Sequence, residues 1–179
     1  MAKGGNWERD ISKFLTKWLT GSEKPYKYWR MPGSGSLSTI HEENVDLSGD
    51  IRSLAPEAEF LTDIFSIEAK IGYPHTSFFQ HFKGVKNFNI KDFWIQCIND
   101  ASHNNKRGML IYKKIREKSI LGIENDTKEM LERINPKLKD LPSLQLKFNT
   151  IDNLCDIIFY NMKEFFNVIK SIDIKGLLG

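Results

Sequence analysis

Residues 62–70, Thr-Asp-Ile-Phe-Ser-Ile-Glu-Ala-Lys, place Ile64, Ser66, Glu68 and Lys70 on one face of an extended chain and Phe65, Ile67 and Ala69 on the other. This period of two predicts a β-strand over Thr62–Lys70. A strand with one wholly apolar face must be covered by other elements, so it belongs inside a layered fold and not on a solvated ribbon. Its other face ends in a carboxylate and an ammonium two residues apart, which point the same way.

The surrounding sequence supplies those layers. Trp7, Ile11, Phe14, Leu15, Trp18 and Leu19 recur at helical spacing, with Asn6 as the expected N-cap and Gly21 as the stop. Tyr26–Met31 is strand-like, and Pro32–Ser36 is a loop rich in glycine and serine. Asp50–Leu54 is a short strand candidate, with a turn at Pro56-Glu57. Residues 71–91 form an aromatic-rich connection. A helix capped by Asp92 follows, its apolar side carrying Phe93, Trp94, Cys97, Ile98 and Ala101, and its polar side Gln96, Asn99, Asp100 and His103. Met109–Ile115 and Ser119–Ile123 read as a hairpin, and Asn125–Ile134 as a short helix ending before Pro136. Asp156–Asn161 fits either a strand or part of a long helix, and strand followed by a helix from about Met162 is the preferred reading. The expectation is an α/β fold in a single domain over residues 1–179, with a core at about 4–123 and a C-terminal extension at about 124–179.

Composition closes off several function classes. Cys97 and Cys155 lie far apart in apolar runs and the four histidines are scattered, which argues against a structural zinc site. No apolar run approaches the roughly 20 residues needed to span a bilayer, so no membrane partner is expected. The segment MAKGGNWERD lacks the apolar stretch of a signal peptide, so the expected location is the cytoplasm. Net charge is only +3, but residues 103–118 concentrate Lys106, Arg107, Lys113, Lys114, Arg116 and Lys118 against the single acid Glu117. Such a stretch is either a solvated edge or a phosphate-facing surface.

The chemistry gathers at Gly49-Asp50 and, eighteen residues after Asp50, at Glu68-Ala69-Lys70. A hard divalent cation takes oxygen ligands. If the strands beginning at Asp50 and ending at Lys70 pair, two carboxylates and an ammonium converge, and the Ala69 carbonyl could complete the set. Taken alone, a Glu-x-Lys pair on a strand is more often an ion pair worth less than about 1 kcal/mol. Glu43, Asp46 and His75 are weaker alternatives for a ligand or base.

The ordered set resembles the PD-(D/E)XK nuclease superfamily, in which an Asp opens one strand and (Asp/Glu)-x-Lys ends the next. Asp50, Glu68 and Lys70 match that pattern, while Gly49 stands where the motif has proline. Within the superfamily the chain looks most like the small phage and archaeal Holliday-junction resolvases. Glu8 lies early in the first helix, where those enzymes carry an acid that joins the metal site. Trp29–Ser36 resembles their strand and Ser-Gly loop near the scissile phosphate. Gln96 falls where many members place a polar residue facing the site.

The resemblance covers about residues 4–116. It implies a restriction-endonuclease-like mixed β-sheet flanked by helices. It implies Mg2+ or Mn2+ held by Asp50, Glu68, Glu8 and the Ala69 carbonyl, and catalysis by Glu8, Asp50, Glu68, Lys70 and Gln96. Arg30, Ser34, Ser36, Lys106, Arg107, Lys113 and Lys114 are the expected DNA contacts. The partner implied is branched or double-stranded DNA, bound by a homodimer, and a phage-encoded enzyme would act in the host cytoplasm. Other targets within the superfamily (restriction-type, exonuclease or nickase) and a non-catalytic DNA-binding role stay open at this point.

Overall fold

The computed structural model describes residues 3–31, 49–72, 89–149 and 154–178. Ser34, Ser36, Glu43, Asp46 and His75 lie outside these residues. Helix α1 (Lys3–Thr20) leads into a two-stranded ribbon of β1 (Tyr28–Arg30) and β2 (Ile51–Ser53). Helix α2 (Pro56–Ile64) runs directly into β3 (Phe65–Ile71). Helix α3 (Asn89–Ser102), β4 (Arg107–Lys113), β5 (Ile120–Glu124) and α4 (Asn125–Ile134) follow. A 3-10 turn, β6 (Ser143–Asn149), β7 (Leu154–Asn161), α5 (Met162–Val168) and α6 (Ser171–Lys175) complete the order.

The larger sheet has the order β3-β4-β5-β7-β6. Strands β3 and β4 are parallel, with Glu68 opposite Leu110 and Lys70 opposite Tyr112, and the other pairs are antiparallel. The crossover between parallel strands carries α3, as parallel pairing requires. The result is a mixed sheet flanked by helices, the arrangement the sequence predicts. One apolar cluster runs from Trp7, Ile11 and Leu15 through Ile67, Ala69, Met109 and Ile111 to Phe165 and Ile174. A second lies on the opposite face, where Ile90, Phe93, Trp94 and Cys97 of α3 meet Leu110, Tyr112, Ile157 and Phe159. Residues 124–178 thus supply two strands and three helices to the same sheet and core. The strand-then-helix reading at 156–162 holds.

Several local expectations are corrected. Helix α1 begins at Lys3, not at an Asn6 cap; Asn6 is inside the helix and accepts a hydrogen bond from Arg9 at 3.0 Å. Pro56-Glu57 is a helix start, not a turn. Proline suits the first helical position, and Glu57 and Glu59 favour the positive end of the helix dipole. Buried Ala58, Leu61, Thr62 and Ile64 hold that helix, so the strand begins at Phe65 and not at Thr62. Helix α3 likewise starts at Asn89, one turn before Asp92. Strand β2 pairs with β1, with Arg30 opposite Ile51, and is not a ladder neighbour of β3. Strand β6, which the sequence reading left unassigned, pairs along its whole length with β7.

Candidate active site

The site forms at the open edge of β3. Residues 67 and 69 of an edge strand direct both their backbone groups outward. Asp50 takes up these groups: its N–H donates to the Ile67 carbonyl at 2.7 Å, and its Oδ2 accepts the Ala69 N–H at 2.9 Å. Its own carbonyl accepts from Met31 N–H at 2.8 Å. Asp50 is therefore locked between the ribbon and the sheet although its strand pairs elsewhere. The Ala69 carbonyl leaves the strand on the same side as its N–H, toward Asp50.

Gly49 makes this approach feasible. Its φ is +77°, and a Cβ there would lie 2.7 Å from Ile67 N and 2.8 Å from Ile67 O. Neither contact is tolerable, and the backbone conformation is one that side-chain-bearing residues avoid. The proline of the superfamily motif, with φ fixed near −65°, cannot stand here.

Glu68 and Lys70 lie on the face of β3 that looks to α3. Glu68 is 3% exposed. Its Oε1 is ion-paired with Lys70 Nζ, and Lys70 Nζ stands 5.9 Å from the Phe93 ring centroid on α3. Burial pushes the Glu68 carboxyl up to about 7, the Asp50 charge adds to the rise, and Lys70 opposes it. Glu8, one helical position past buried Trp7, receives Arg30 Nη1 at 3.5 Å. Its carboxyl is raised first by burial and then by Asp50, with Arg30 and Lys70 pulling the other way. Glu8 and Glu68 thus each feel the charges of Asp50 and Lys70, from elements up to 62 residues apart in the chain.

The carboxylates crowd one another in a poorly hydrated place, with charge that Lys70 and Arg30 only partly offset. A divalent cation answers that surplus. The donor set fits a hard ion: Asp50, Glu68 and the Ala69 carbonyl are all oxygens. Among the described residues no three His, Cys, Asp or Glu side chains form a cage for a metal ion on their own. Glu8, held by Arg30, suits a water-bridged position better than a direct one.

The remaining site residues divide. Gln96 is on the exposed flank of α3, lining an open groove with Asp92, Ile95, Asn99 and Asp100. Lys113 ends β4 opposite Ile71, just past the site, with its Nζ 5.2 Å from the Trp7 ring centroid. Arg30 and Lys113 therefore flank the carboxylates. Arg107 sits opposite Phe65, about 10 Å along the strand from the Glu68 level. It is bound to Asp126 at 2.7 Å and to Thr127 at 3.1 Å, tying the strand to α4. Lys114 pairs with Glu117 at 3.0 Å across the turn. Lys106 immediately precedes β4, at the same end as Arg107.

The sequence reading noted Asp100 on the polar side of its helix but did not place it at the site, although its charge reaches Glu68. Its position four residues after Gln96 was the available signal.

Comparison with known proteins agrees with this geometry. A model of the family described as "Phage putative PDDEXK endonuclease" matches residues 1–176. Neither the curated proteins nor the solved structures give a match. Among the described residues, no helix is long and apolar enough to cross a membrane. A family match over nearly the whole chain, together with Asp50 bound to the edge of the strand that carries Glu68 and Lys70, makes this chain a member of the phage PD-(D/E)XK endonuclease family.

Proposed function

We propose that the chain is a divalent-cation-dependent DNA endonuclease, acting as a homodimer on branched DNA, with Asp50, Glu68 and Lys70 at its catalytic centre. The observation that carries this reading is the clamp of Asp50 on the Ile67 and Ala69 backbone, which brings its carboxylate to the Glu68–Lys70 pair.

Asp50, Glu68 and the Ala69 carbonyl would hold Mg2+ or Mn2+. When bound, such an ion polarises the phosphodiester and lowers the pKa of a coordinated water. Asp50 supplies a fixed oxygen, since its other oxygen is tied to a backbone N–H. Lys70 donates from Nζ to a phosphate oxygen and offsets the charge that grows there. Arg30 keeps Glu8 turned toward Asp50, and Gln96 offers a polar contact from α3. Attack of water at phosphorus breaks the bond to one deoxyribose oxygen, which leaves with a proton.

Branched DNA is favoured over a restriction-type target for a structural reason. A sequence reader needs an element free to enter a groove, and the part of the chain not covered by the resemblance, residues 117–179, is the candidate for one. Its described strands and helices are instead built into the sheet and the core. Affinity then comes from phosphate contacts, with Arg30 and Lys113 nearest the site. We expect binding to four-way junctions of unrelated sequence to fall steeply with salt, through counterion release. Lys113→Ala should weaken all of them about equally and reduce the salt slope by roughly one. Fluorescence titrations over a salt series check this, and a strong preference for one short sequence would move the restriction-type reading ahead.

A junction carries two scissile phosphates related by a two-fold, and a symmetric dimer meets it with two sites. Sedimentation at micromolar concentration should give a species of twice 20.8 kDa. A fully active monomer would contradict the dimer.

A further inference from the structure

Strands β3 and β4 end side by side, with Lys113 opposite Ile71, and the Lys113 backbone is pinned there because its carbonyl accepts the Gly72 N–H at 3.0 Å. Residues alternate between the faces of a sheet. Lys113 therefore projects on the face of Ile71 and Ala69, which α1 covers, while Lys70 projects on the face of α3. At that point α1 presents Trp7. The Lys113 Nζ stands 5.2 Å from the Trp7 ring centroid, within the range of a cation–π contact. The next residue of the helix is Glu8, so the ammonium is seated beside the carboxylate cluster.

The other basic residues of this region are held by carboxylates. Arg30 is bound to Glu8 at 3.5 Å, Arg107 to Asp126 at 2.7 Å and Lys114 to Glu117 at 3.0 Å, and Lys70 pairs with Glu68. Among the described residues Lys113 has no carboxylate partner, and the indole ring takes that place. The indole N–H supports the same role. Trp7 is 5% exposed, and its Nε1 is buried with no hydrogen-bond partner among the described residues. A buried donor without an acceptor costs stability, a cost that phenylalanine would avoid. Hydrogen bonding therefore does not explain a tryptophan here. Its ring does, since tryptophan offers a cation the best of the aromatic faces.

Resting on the nuclease reading above, we infer that Trp7 is a positioning residue for Lys113: its ring holds the ammonium beside the catalytic carboxylates, where it meets a backbone phosphate of the bound DNA. A ring suits this task better than a carboxylate. It attracts the ammonium without cancelling its charge, so no ion pair has to break when a phosphate arrives. It also orders a long side chain before binding, which lowers the entropy lost on the DNA.

The test titrates a fluorescent four-way junction in EDTA, across a salt series, with the natural chain, Trp7→Phe, Trp7→Leu, Lys113→Ala and the Trp7→Leu/Lys113→Ala double variant. Trp7→Leu should weaken binding about 2–5-fold, the size of a cation–π contact near the surface, and lower the salt slope toward that of Lys113→Ala. Trp7→Phe, which keeps a ring, should stay within about twofold of the natural chain. In the Lys113→Ala background Trp7→Leu should have no further effect, because its route to the DNA is already gone. Natural binding by Trp7→Leu, or the same fold-loss in both backgrounds, overturns the inference. Should Trp7→Leu fail to fold, a multiply fluorinated tryptophan at position 7 drains the π face at nearly constant shape. It should weaken binding only where Lys113 is present, and affinity unchanged by fluorination overturns the inference. If the natural protein does not bind DNA, the nuclease reading is what has failed. Urea unfolding of the natural chain, the Trp7 variant that folds, Lys113→Ala and their double variant then decides: non-additive stabilities support the Trp7–Lys113 seat, and additive ones overturn it.

Discussion

Glu68→Gln and Asp50→Asn are each expected to lower cleavage by on the order of 10³-fold while the protein stays folded. Loss of a carboxylate ligand forfeits several kcal/mol of charge stabilisation, and about 4 kcal/mol corresponds to three factors of ten. The fold should survive for different reasons at the two positions. Gln has the shape of Glu and removes a buried charge that its surroundings already disfavour, so the melting temperature of Glu68→Gln should not drop. Asn at 50 keeps an oxygen to accept the Ala69 N–H. Asp50→Ala does not, and a buried N–H left without a partner costs about 1–3 kcal/mol. The alanine variant should therefore be both inactive and less stable, and the asparagine variant only inactive. DNA binding in EDTA should persist in Asp50→Asn and tighten slightly, because one fewer negative charge meets the phosphates. Natural turnover in either isosteric variant would remove that residue from the site.

The second large effect runs against the superfamily pattern. Gly49→Pro writes the motif's usual proline into the chain, yet it should abolish activity and destabilise the fold. The φ of +77° is closed to proline, and the added atoms would meet the Ile67 backbone, which cannot move without breaking β3. Gly49→Ala should show a milder form. An L-residue in the left-handed region costs roughly 1–2 kcal/mol before any clash is counted. In a chain of this size each kcal/mol lowers the melting temperature by about 2–4 °C. Cleavage should fall with it, because displacing Gly49 moves Asp50 off Ile67 and Ala69. Thermal melts and cleavage rates measured together check this. A Gly49→Pro protein that melts and cuts like the natural one would show that this close approach is not needed.

The sequence made the core of this site legible because its signals are local. The alternation through Ser66, Glu68 and Lys70 needs only the period of a strand, and Trp7, Ile11 and Leu15 only that of a helix. Thr62–Ile64 misled because three residues of apolar-polar alternation fit a helix end as well as a strand, and Pro56 with two acids decided for the helix. The convergence of Asp50 with Glu68 was expected from strand pairing. The structure achieves it otherwise, through one backbone bond and one side-chain bond from a residue whose own strand pairs with β1. That geometry depends on a positive φ at Gly49, which composition shows only as the loss of a proline. Residues 124–178 were unreadable as part of the sheet for a further reason. The strand that joins β7 to the rest of the sheet, β5, is more than thirty residues earlier, and pairing at that distance leaves no local trace. Asp100 was passed over because helical periodicity assigns it to a polar side, and its half-buried place, from which its charge raises the Glu68 carboxyl, follows only from how α3 packs.

The most direct test of the account incubates the protein with a four-way junction and with a linear duplex of matching sequence, each in Mg2+ and in EDTA, beside the Glu68→Gln variant. The account predicts cleavage of the junction in Mg2+, little or none of the duplex, and none of either in EDTA or with the variant. Cleavage that continues in EDTA, or that Glu68→Gln performs as well as the natural protein, would contradict a metal-dependent nuclease centred on Asp50, Glu68 and Lys70.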